Sequence, residues 1–528
     1  MKKLFINAAF HLLNKDLQTA KAILVENGKI AGIYYEALPH FQDCETIDLK
    51  GLHVYPGFID THAHCFEGGL YAQSVDLSQV TSIQQVLEKL DAYYQKCNKN
   101  EIAEIDAFRF DENNVAEKRF PTVAELNSVC PDIPLVLRRV DGHSSTVNGI
   151  AWKKFCEGNK SYLEKKWLPV PAFAGRDPLC AGMTNDNSSV TNYQAGVLSG
   201  ELNDKVVHWF HNNLSEQAIL NAYQQASKIS LANGITTVHT MVGDAQNSIT
   251  HYKLLRDNFS LFDVEYVLYP QSFDIKQALE VGATRIGGCI LSDGALGSHT
   301  AALNQPYSDN PETNGLLYHD DAFWSKFIMD SHNYGLQVAV HCIGDRAIKQ
   351  INDIYLKLYQ QKPHDLRHEL IHCELTPDDL VEQIVQSHAV PVMQPAFDLY
   401  WGAESGFYHK VLGEKRYKEM NRFHTFGEKG VIVTGGSDWY ITELDALQGI
   451  RAAVYHHNHS ERLRTISAID LYTKNAAWLS HDEDRLGKLS IGYDADFVCL
   501  NKDILTSDCL SAAQVMATYK RGKQVYNR

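Results

Sequence analysis

The chain has 528 residues, of which 44% are hydrophobic and 21% charged, and its formal net charge is −15. This composition is typical of a globular protein, and an acidic chain without a long run of Lys or Arg argues against nucleic acid or an anionic membrane as a partner. No stretch reaches the about 18 apolar residues of a membrane span, and the apolar start breaks at Asn7, too early for a signal peptide.

The eleven cysteines have no paired spacing, and several lie within apolar runs. An odd number in such surroundings is typical of reduced, buried thiols rather than of a disulfide framework. We therefore expect a cytoplasmic protein.

Short strands are predicted at both ends of the chain. The first are at 3–6, 22–25, 29–34 and 52–55, with Asn27-Gly28 as a hairpin turn, and the last are at 495–500, 515–519 and 524–526. We predict that residues 1–55 and 481–528 together form one small β-sandwich.

The stretch PGFIDTHAH at 56–64 is the first strong functional signal. It predicts an apolar strand that starts after a Pro-Gly turn and ends in His62 and His64. Alternate residues of a strand point to the same face, so the two imidazoles would lie side by side and form half of a metal site.

Strands and helices alternate in the second half of the chain. Predicted strands at 235–241, 264–269, 287–292, 337–342, 368–373, 390–394 and 431–435 are separated by helical stretches such as 215–232 and 346–360. With the strand at 56–64 this makes eight, the number that closes a (β/α)8 TIM barrel. The barrel would comprise 56–64 and 216–480, with residues 65–215 as a large α/β insertion after its first strand.

Polar side chains recur where these predicted strands end, and in such a barrel the strand ends carry the functional residues. Imidazole and carboxylate ligands suit zinc, or iron and manganese, and a carboxylate beside the ion can move a proton. We predict a metal centre at the strand ends, with Asp438 as proton acceptor and donor. Its ligands are His62, His64, His341, His372 and Asp438.

Several segments carry a family likeness, including PGFIDTHAH at 56–64, GITTVHTM at 234–241, VHCIGDRA at 340–347 and GGSDW at 435–439. In these the chain resembles the amidohydrolase superfamily, in the branch of the YtcJ-like hydrolases and N-substituted formamide deformylase (amidohydrolase family 3). The resemblance implies the barrel, the composite sandwich and the five ligands. It also implies that the insertion covers the mouth of the site. The substrate-binding candidates are His143, His239, Glu112, Asp293 and Trp439.

One feature departs from the family pattern. Many relatives carry a carbamylated lysine on the fourth strand that bridges two metals, whereas residues 287–294 are GGCILSDG. We therefore expect one ion, most simply zinc, held by His62, His64, His341 and Asp438. His372 would then bind the ion only weakly, or would form a hydrogen bond with the water or the substrate. A second ion bridged by Cys289 or Glu374 stays open.

These features predict a metal-dependent hydrolase of a non-peptide amide C–N bond in a small molecule, with metal-activated water as nucleophile and Asp438 and His372 as catalytic residues. The alternatives are a deaminase of a cyclic amidine and a catalytically degenerate barrel that binds a ligand or regulates. We expect a small-molecule substrate and no nucleic-acid or membrane partner. A homo-oligomer is compatible with the sequence.

Overall fold

The computed structural model describes residues 2–36, 39, 41–97, 104–112, 114–139, 144–161, 197–244 and 247–528. The chain divides into two compact units, one made of Met1–Cys65 with Ala226–Arg528 and the other of Phe66–Gln225. Within the described ranges, no helix is both long and apolar enough to cross a membrane.

The described strands are numbered in chain order. They are β1 (Lys2–His11), β2 (Thr19–Ala20), β3 (Ala22–Glu26), β4 (Lys29–Tyr34), β5 (Cys44–Pro56), β6 (Phe58–Ala63), β7 (Val75–Asp76), β8 (Ile105–Phe110), β9 (Leu135–Arg139), β10 (Ser144–Val147), β11 (Val197–Ser199), β12 (Ile235–Val242), β13 (Glu265–Pro270), β14 (Arg285–Leu291), β15 (Gln337–Cys342), β16 (Glu369–His372), β17 (Val390–Met393), β18 (Thr434–Gly435), β19 (Phe497–Leu500), β20 (Val515–Lys520) and β21 (Lys523–Asn527).

Helices separate most of these strands. The described α-helices are Cys65–Gln73, Ile83–Lys96, Val123–Val129, Gly149–Gly158, Gly200–Asn212, Glu216–Ala232, Ser248–Asp257, Ile275–Glu280, Asp321–Asn333, Asp345–Gln361, Asp378–Ser387, Pro395–Trp401, Phe407–Tyr417, Phe423–Glu428, Ala446–Val454, Thr465–Leu471, Lys474–Leu479 and Ser507–Leu510.

In the first unit, strands from both ends of the chain share one sheet. Its order is β21-β20-β19-β5-β1-β3-β4, with β2 paired to β1, and we call it the composite sheet. The turn between β3 and β4 has left-handed φ values at Asn27 (54°) and Gly28 (80°), which is the backbone that the Asn-Gly signal predicts for a tight hairpin. The Phe5 ring packs edge-on against Phe497 and Tyr519 in the core of this sheet.

Eight parallel strands of the same unit follow the predicted βα alternation. They form a three-stranded sheet, β13-β12-β6, and a five-stranded sheet, β14-β15-β16-β17-β18. The segment after β18 bonds to the end of β6, since the Asp438 N–H donates to the His62 carbonyl at 2.8 Å and the His64 N–H to the Trp439 carbonyl at 2.6 Å. The mixed α/β fold is therefore confirmed, and closure into one (β/α)8 barrel stays a prediction.

The second unit has its own sheet and core. Its five strands are ordered β11-β10-β9-β8-β7, with antiparallel pairs at β9-β10 and β10-β11 and parallel pairs at β7-β8 and β8-β9. Apolar side chains of the helix Ile83–Lys96 pack on this sheet at Ile83, Val86 and Leu90. The predicted insertion spans residues 65–215. The second unit starts one residue later than this prediction, at Phe66, and ends ten residues later, at Gln225.

A buried ion network connects the composite sheet to β13. Lys520 Nζ, at the end of β20, lies 2.6 Å from Asp496 Oδ2 and 3.0 Å from Glu265 Oε2. Arg485 also pairs with Glu265. The Asp496 side chain is only 3% exposed, so its charge depends on these protein partners rather than on water.

We predict that Lys520→Met destabilises the protein by about 3–5 kcal/mol, because it leaves the buried Asp496 carboxylate without its cation. Urea unfolding followed by circular dichroism measures the change. Lys523→Met is the matched control, because its partner Asp263 at 3.0 Å and Lys523 itself are exposed. Lys523→Met should lower the free energy of unfolding by only about 0–1 kcal/mol. Equal stability losses in the two variants would contradict a structural role for the network.

Candidate metal centre

The end of β6 places the first two imidazoles. All residues of β6, Phe58–Ala63, are buried. The Asp60 carboxylate accepts the N–H of His62 at 3.0 Å and the N–H of Ser437 at 3.1 Å. This buried side chain thereby holds the His62 backbone and the segment that carries Asp438 at a fixed separation.

Asp438 lies between the two histidines of the motif. Its Oδ1 atom is 3.2 Å from Nε2 of His62 and 3.2 Å from Nε2 of His64. Burial would raise the pKa of Asp438, but hydrogen bonds from the two imidazoles hold it well below its usual range. The side chain is therefore a carboxylate at neutral pH and can accept a proton.

Cys289 occupies the middle of the centre. In β14 it follows Gly287 and Gly288, whose φ values are 98° and 93°. A Cβ at Gly287 would lie 2.1 Å from the Ala339 carbonyl oxygen, so only glycine fits there, and the pairing of β14 with β15 shifts register at this point. The resulting bulge turns the Cys289 thiol toward the histidines.

Two groups of ligand atoms share this thiol. The donors of His62, His64 and Cys289 all lie within 4.8 Å of one another, and so do those of Cys289, His341 and His372. A third group of the same size links His62 and His372 to Asp438. All five predicted ligands are thus brought together, with Cys289 between them.

Hydrogen bonds outside the cluster orient two of the imidazoles. His372 Nδ1 lies 2.7 Å from Gln394 Oε1, and His341 Nε2 lies 3.1 Å from the Gly294 carbonyl oxygen. An oxygen acceptor at one ring nitrogen keeps the proton there and leaves the other nitrogen as a ligand. Sequence analysis missed Gln394, although a polar residue at the end of the apolar strand β17 was a usable signal.

The surrounding imidazoles favour the ionised form of this thiol. Burial would raise the pKa of Cys289, but hydrogen bonds from neighbouring imidazoles, that of His341 above all, lower it well below its usual value. Thiolate is the form that binds metals.

The donor set fits a divalent metal. Burial would lower the pKa of His341, but the Cys289 thiolate raises it to about 9. Protons on the imidazoles therefore balance the negative charges of the buried thiolate and carboxylate. A divalent ion would take the place of those protons, since thiolate, carboxylate and neutral imidazole are the ligating forms. Imidazole and thiolate donors suit zinc and other first-row transition metals.

The predicted substrate-binding residues are more scattered. His239 is fully buried with Nδ1 3.4 Å from Tyr269 Oη, and the Asp293 carboxylate accepts backbone N–H groups of Ala302, Ile343 and Gly344. Both therefore have roles inside the fold. Their binding of substrate stays a prediction.

The remaining candidates lie elsewhere. Trp439 is buried beside the centre, where its carbonyl accepts the His64 N–H. Glu112 pairs with Arg139 in the second unit at 2.9 Å, and His143 lies outside the described residues. Glu374, considered as a bridge, accepts the Tyr408 hydroxyl at 2.6 Å and belongs to none of the close ligand groups of the described chain.

We predict that the rate at which iodoacetamide alkylates Cys289 in metal-free protein rises less steeply from pH 6 to pH 8 than that of an ordinary thiol, because the neighbouring imidazoles lower the pKa of Cys289. Cys156 is the control, since burial raises the pKa of its thiol to about 11 and its rate should rise about tenfold per pH unit. Peptide mass spectrometry measures both rates in one sample. A Cys289 rate that rises as steeply as that of Cys156 would show an ordinary thiol.

Comparison with known proteins identifies the family of the chain. The sequence matches the amidohydrolase family over residues 45–526. It is 28% identical to YtcJ of Bacillus subtilis (strain 168) over 100% of both chains, and 23% identical to N-substituted formamide deformylase of Arthrobacter pascens over 99% of this chain and 98% of that protein.

Among solved structures, the fold is similar to that of an uncharacterised metal-dependent hydrolase from Pyrococcus furiosus. The TM-score is 0.76 at 23% identity, over 96% of this chain and 100% of that one. Because the family match spans most of the sequence and the relatives align over their full length, the chain belongs to the amidohydrolase family, in its YtcJ-like branch.

Proposed function

We propose that the chain is a metal-dependent hydrolase that cleaves a non-peptide amide C–N bond in a small molecule, with its eight parallel strands closed as a (β/α)8 barrel. The observation that carries the proposal is the convergence of four imidazoles, one thiolate and one carboxylate at the strand ends. A purely structural site would be closed by four ligands, whereas this one offers six donors around a shared thiol.

The ligand groups favour two ions rather than the single ion expected from the missing lysine. His62 and His64 would hold one ion and His341 and His372 the other, with the Cys289 thiolate between them. A thiolate supplies the shared negative ligand that the absent lysine would otherwise provide. Asp438, beside His62 and His64, stays close enough to contact the reacting water.

The proposed reaction uses water as nucleophile. When bound, the divalent metal lowers the pKa of water and polarises the carbonyl group. Asp438 accepts a proton from the water while the water oxygen bonds to the carbonyl carbon of the substrate. It then delivers that proton to the amide nitrogen as the C–N bond breaks. The products are a carboxylic acid and an amine.

The relatives guide the choice of test substrate. The enzyme from Arthrobacter pascens is named for the deformylation of N-substituted formamides. We propose small amides of this kind as first substrates for the zinc-loaded protein, with formate and amine release as the expected result. Release of ammonia from a cyclic amidine, without amide cleavage, would replace this proposal by a deaminase. Ligand binding without turnover would replace it by a degenerate barrel.

Asp438→Asn should lower kcat by about 10²–10⁴-fold, because an amide can neither accept nor return the proton. The control is Asp398→Asn, which alters another buried carboxylate between two imidazoles, 3.1 Å from His457 Nδ1 and 3.4 Å from His456 Nε2. That variant should keep most of its turnover. Steady-state kinetics with metal content measured in parallel separates loss of chemistry from loss of metal. Near-normal kcat in Asp438→Asn would contradict the proton-transfer role.

In elemental analysis of zinc-loaded protein, Cys289→Ala should contain at least one zinc ion per chain less than the wild type, because the ligand shared by the two proposed ions of this centre is removed. Cys342→Ala is the control, as this buried thiol lies on β15 and belongs to none of the ligand groups of the described residues. An unchanged metal content in Cys289→Ala would rule out the thiolate bridge while leaving a single-ion hydrolase intact.

A further inference from the structure

A separate group of metal-binding side chains lies in the composite sheet. His11 ends β1, His53 lies in β5, and Asp503 follows β19. The strands bring them together, because β1 pairs with β5 at Ala9–His53 and β5 pairs with β19 at His53–Leu500. His11 Nε2 is 3.2 Å from His53 Nδ1 and 3.8 Å from Asp503 Oδ1.

We propose that His11, His53 and Asp503 form a structural site for a divalent cation, distinct from the centre at the strand ends. All three donor atoms lie within 4.8 Å of one another. Ligands about 2.0–2.1 Å from a tetrahedral zinc ion are about 3.3 Å apart. The 3.2 Å between His11 and His53 matches this spacing, and the 3.8 Å between His11 and Asp503 would shorten on ion binding. Two imidazoles and one carboxylate are a common donor set for zinc and for iron.

Neighbouring side chains hold this group in position. Asp503 Oδ1 accepts the Tyr55 hydroxyl at 2.5 Å and the Leu505 N–H at 2.9 Å. The His11 ring stacks on the Tyr55 ring, with centroids 4.3 Å apart and planes 7° from parallel. Hydrogen bonds to a ligating carboxylate and packing of a ligating ring both reduce the cost of ordering a site.

Exposure gives an ion access to the group. His11 is 5% exposed, whereas the Asp503 side chain is 31% exposed and His53 is partly exposed. An ion can therefore enter from solvent on the Asp503 side and keep a water molecule in its fourth position.

A third histidine cluster provides a contrast. His332, His364 and His368 are equally close together, but His368 Nδ1 accepts the Val338 N–H at 3.0 Å. Its Nε2 must then carry the proton and donate to His332 Nδ1 at 3.1 Å. Both nitrogens of His368 are therefore engaged, and the cluster has no carboxylate. In the described chain, no backbone N–H donates to a ring nitrogen of His11 or His53.

An ion at this site would join β1 and β5 to β19, and so would connect the two ends of the chain. A ligand that binds only the folded protein stabilises it. The proposed site therefore predicts a zinc-dependent gain in thermal stability that does not depend on the hydrolase centre.

The test uses full-length protein loaded with zinc and passed through a desalting column. His53→Ala should contain one zinc ion per chain less than the wild type and should keep its turnover. Added zinc should raise the melting midpoint of the wild type more than that of His53→Ala. His364→Ala, which removes a partly buried histidine from the contrast cluster, should match the wild type in both measurements.

Asp503→Asn provides a second variant if His53→Ala is poorly folded, and it should lose the same ion. The same zinc content in wild type, His53→Ala and Asp503→Asn would overturn the site, as would an equal zinc-dependent midpoint shift in all three. Loss of zinc in His62→Ala reports on the hydrolase centre instead. The two proposals can therefore fail separately.

Discussion

The mutual compensation of buried charges at the strand ends is the constraint on which the structure of the centre depends. A thiolate and a carboxylate removed from water are each costly alone, and here each lies against imidazoles that offset its charge. The raised pKa of His341, to about 9, shows how strongly the thiolate acts on its neighbours. Two buried anions close together are unfavourable unless positive charge offsets them. For the same reason they make the centre a strong site for a divalent cation.

The backbone around the centre is shaped to deliver these side chains. Gly287 and Gly288 produce a bulge that no residue with a Cβ could adopt without meeting the Ala339 carbonyl oxygen or the Met241 sulfur. Asp438 and His372 themselves have left-handed φ values, 52° and 71°, which are unfavourable for residues other than glycine. Such conformations persist only where surrounding contacts impose them, as they do at many functional sites.

Away from the centre, the composite sheet is held by polar groups as well as by its aromatic core. Lys520 bonds across to Glu265 and Asp496, and His11, His53 and Asp503 gather where β1, β5 and β19 meet. Both devices involve residues from distant parts of the chain. The ends of the sequence are thereby secured to the strands that support the centre.

Much of the candidate site could be predicted because its ligands follow a simple geometric rule. Parallel strands bring their carboxyl ends to one edge, so the histidines and the aspartate at four of the predicted strand ends were expected to converge. His62, His64, His341, His372 and Asp438 do lie close together. Strand bounds were also close, with 337–342 matching β15, although only Thr434–Gly435 of the predicted strand 431–435 is paired. The length of β18 is therefore set by its pairing with β17 rather than by the apolar residues of the predicted strand.

The sequence by itself determined the α/β class, the set of strand-end candidate residues and the family, because strand periodicity and short motifs are local properties. Only the tertiary structure decided that Cys289 is central, that Gln394 orients His372, and that His239 and Asp293 are buried inside the fold. The bulge at Gly287 and Gly288 changes which face Cys289 occupies, and no pattern of alternation contains that information. Likewise, His11, His53 and Asp503 are close only because sheet pairing joins β1 and β5 to β19, which lies hundreds of residues further along the chain. Spacing along the chain cannot show this.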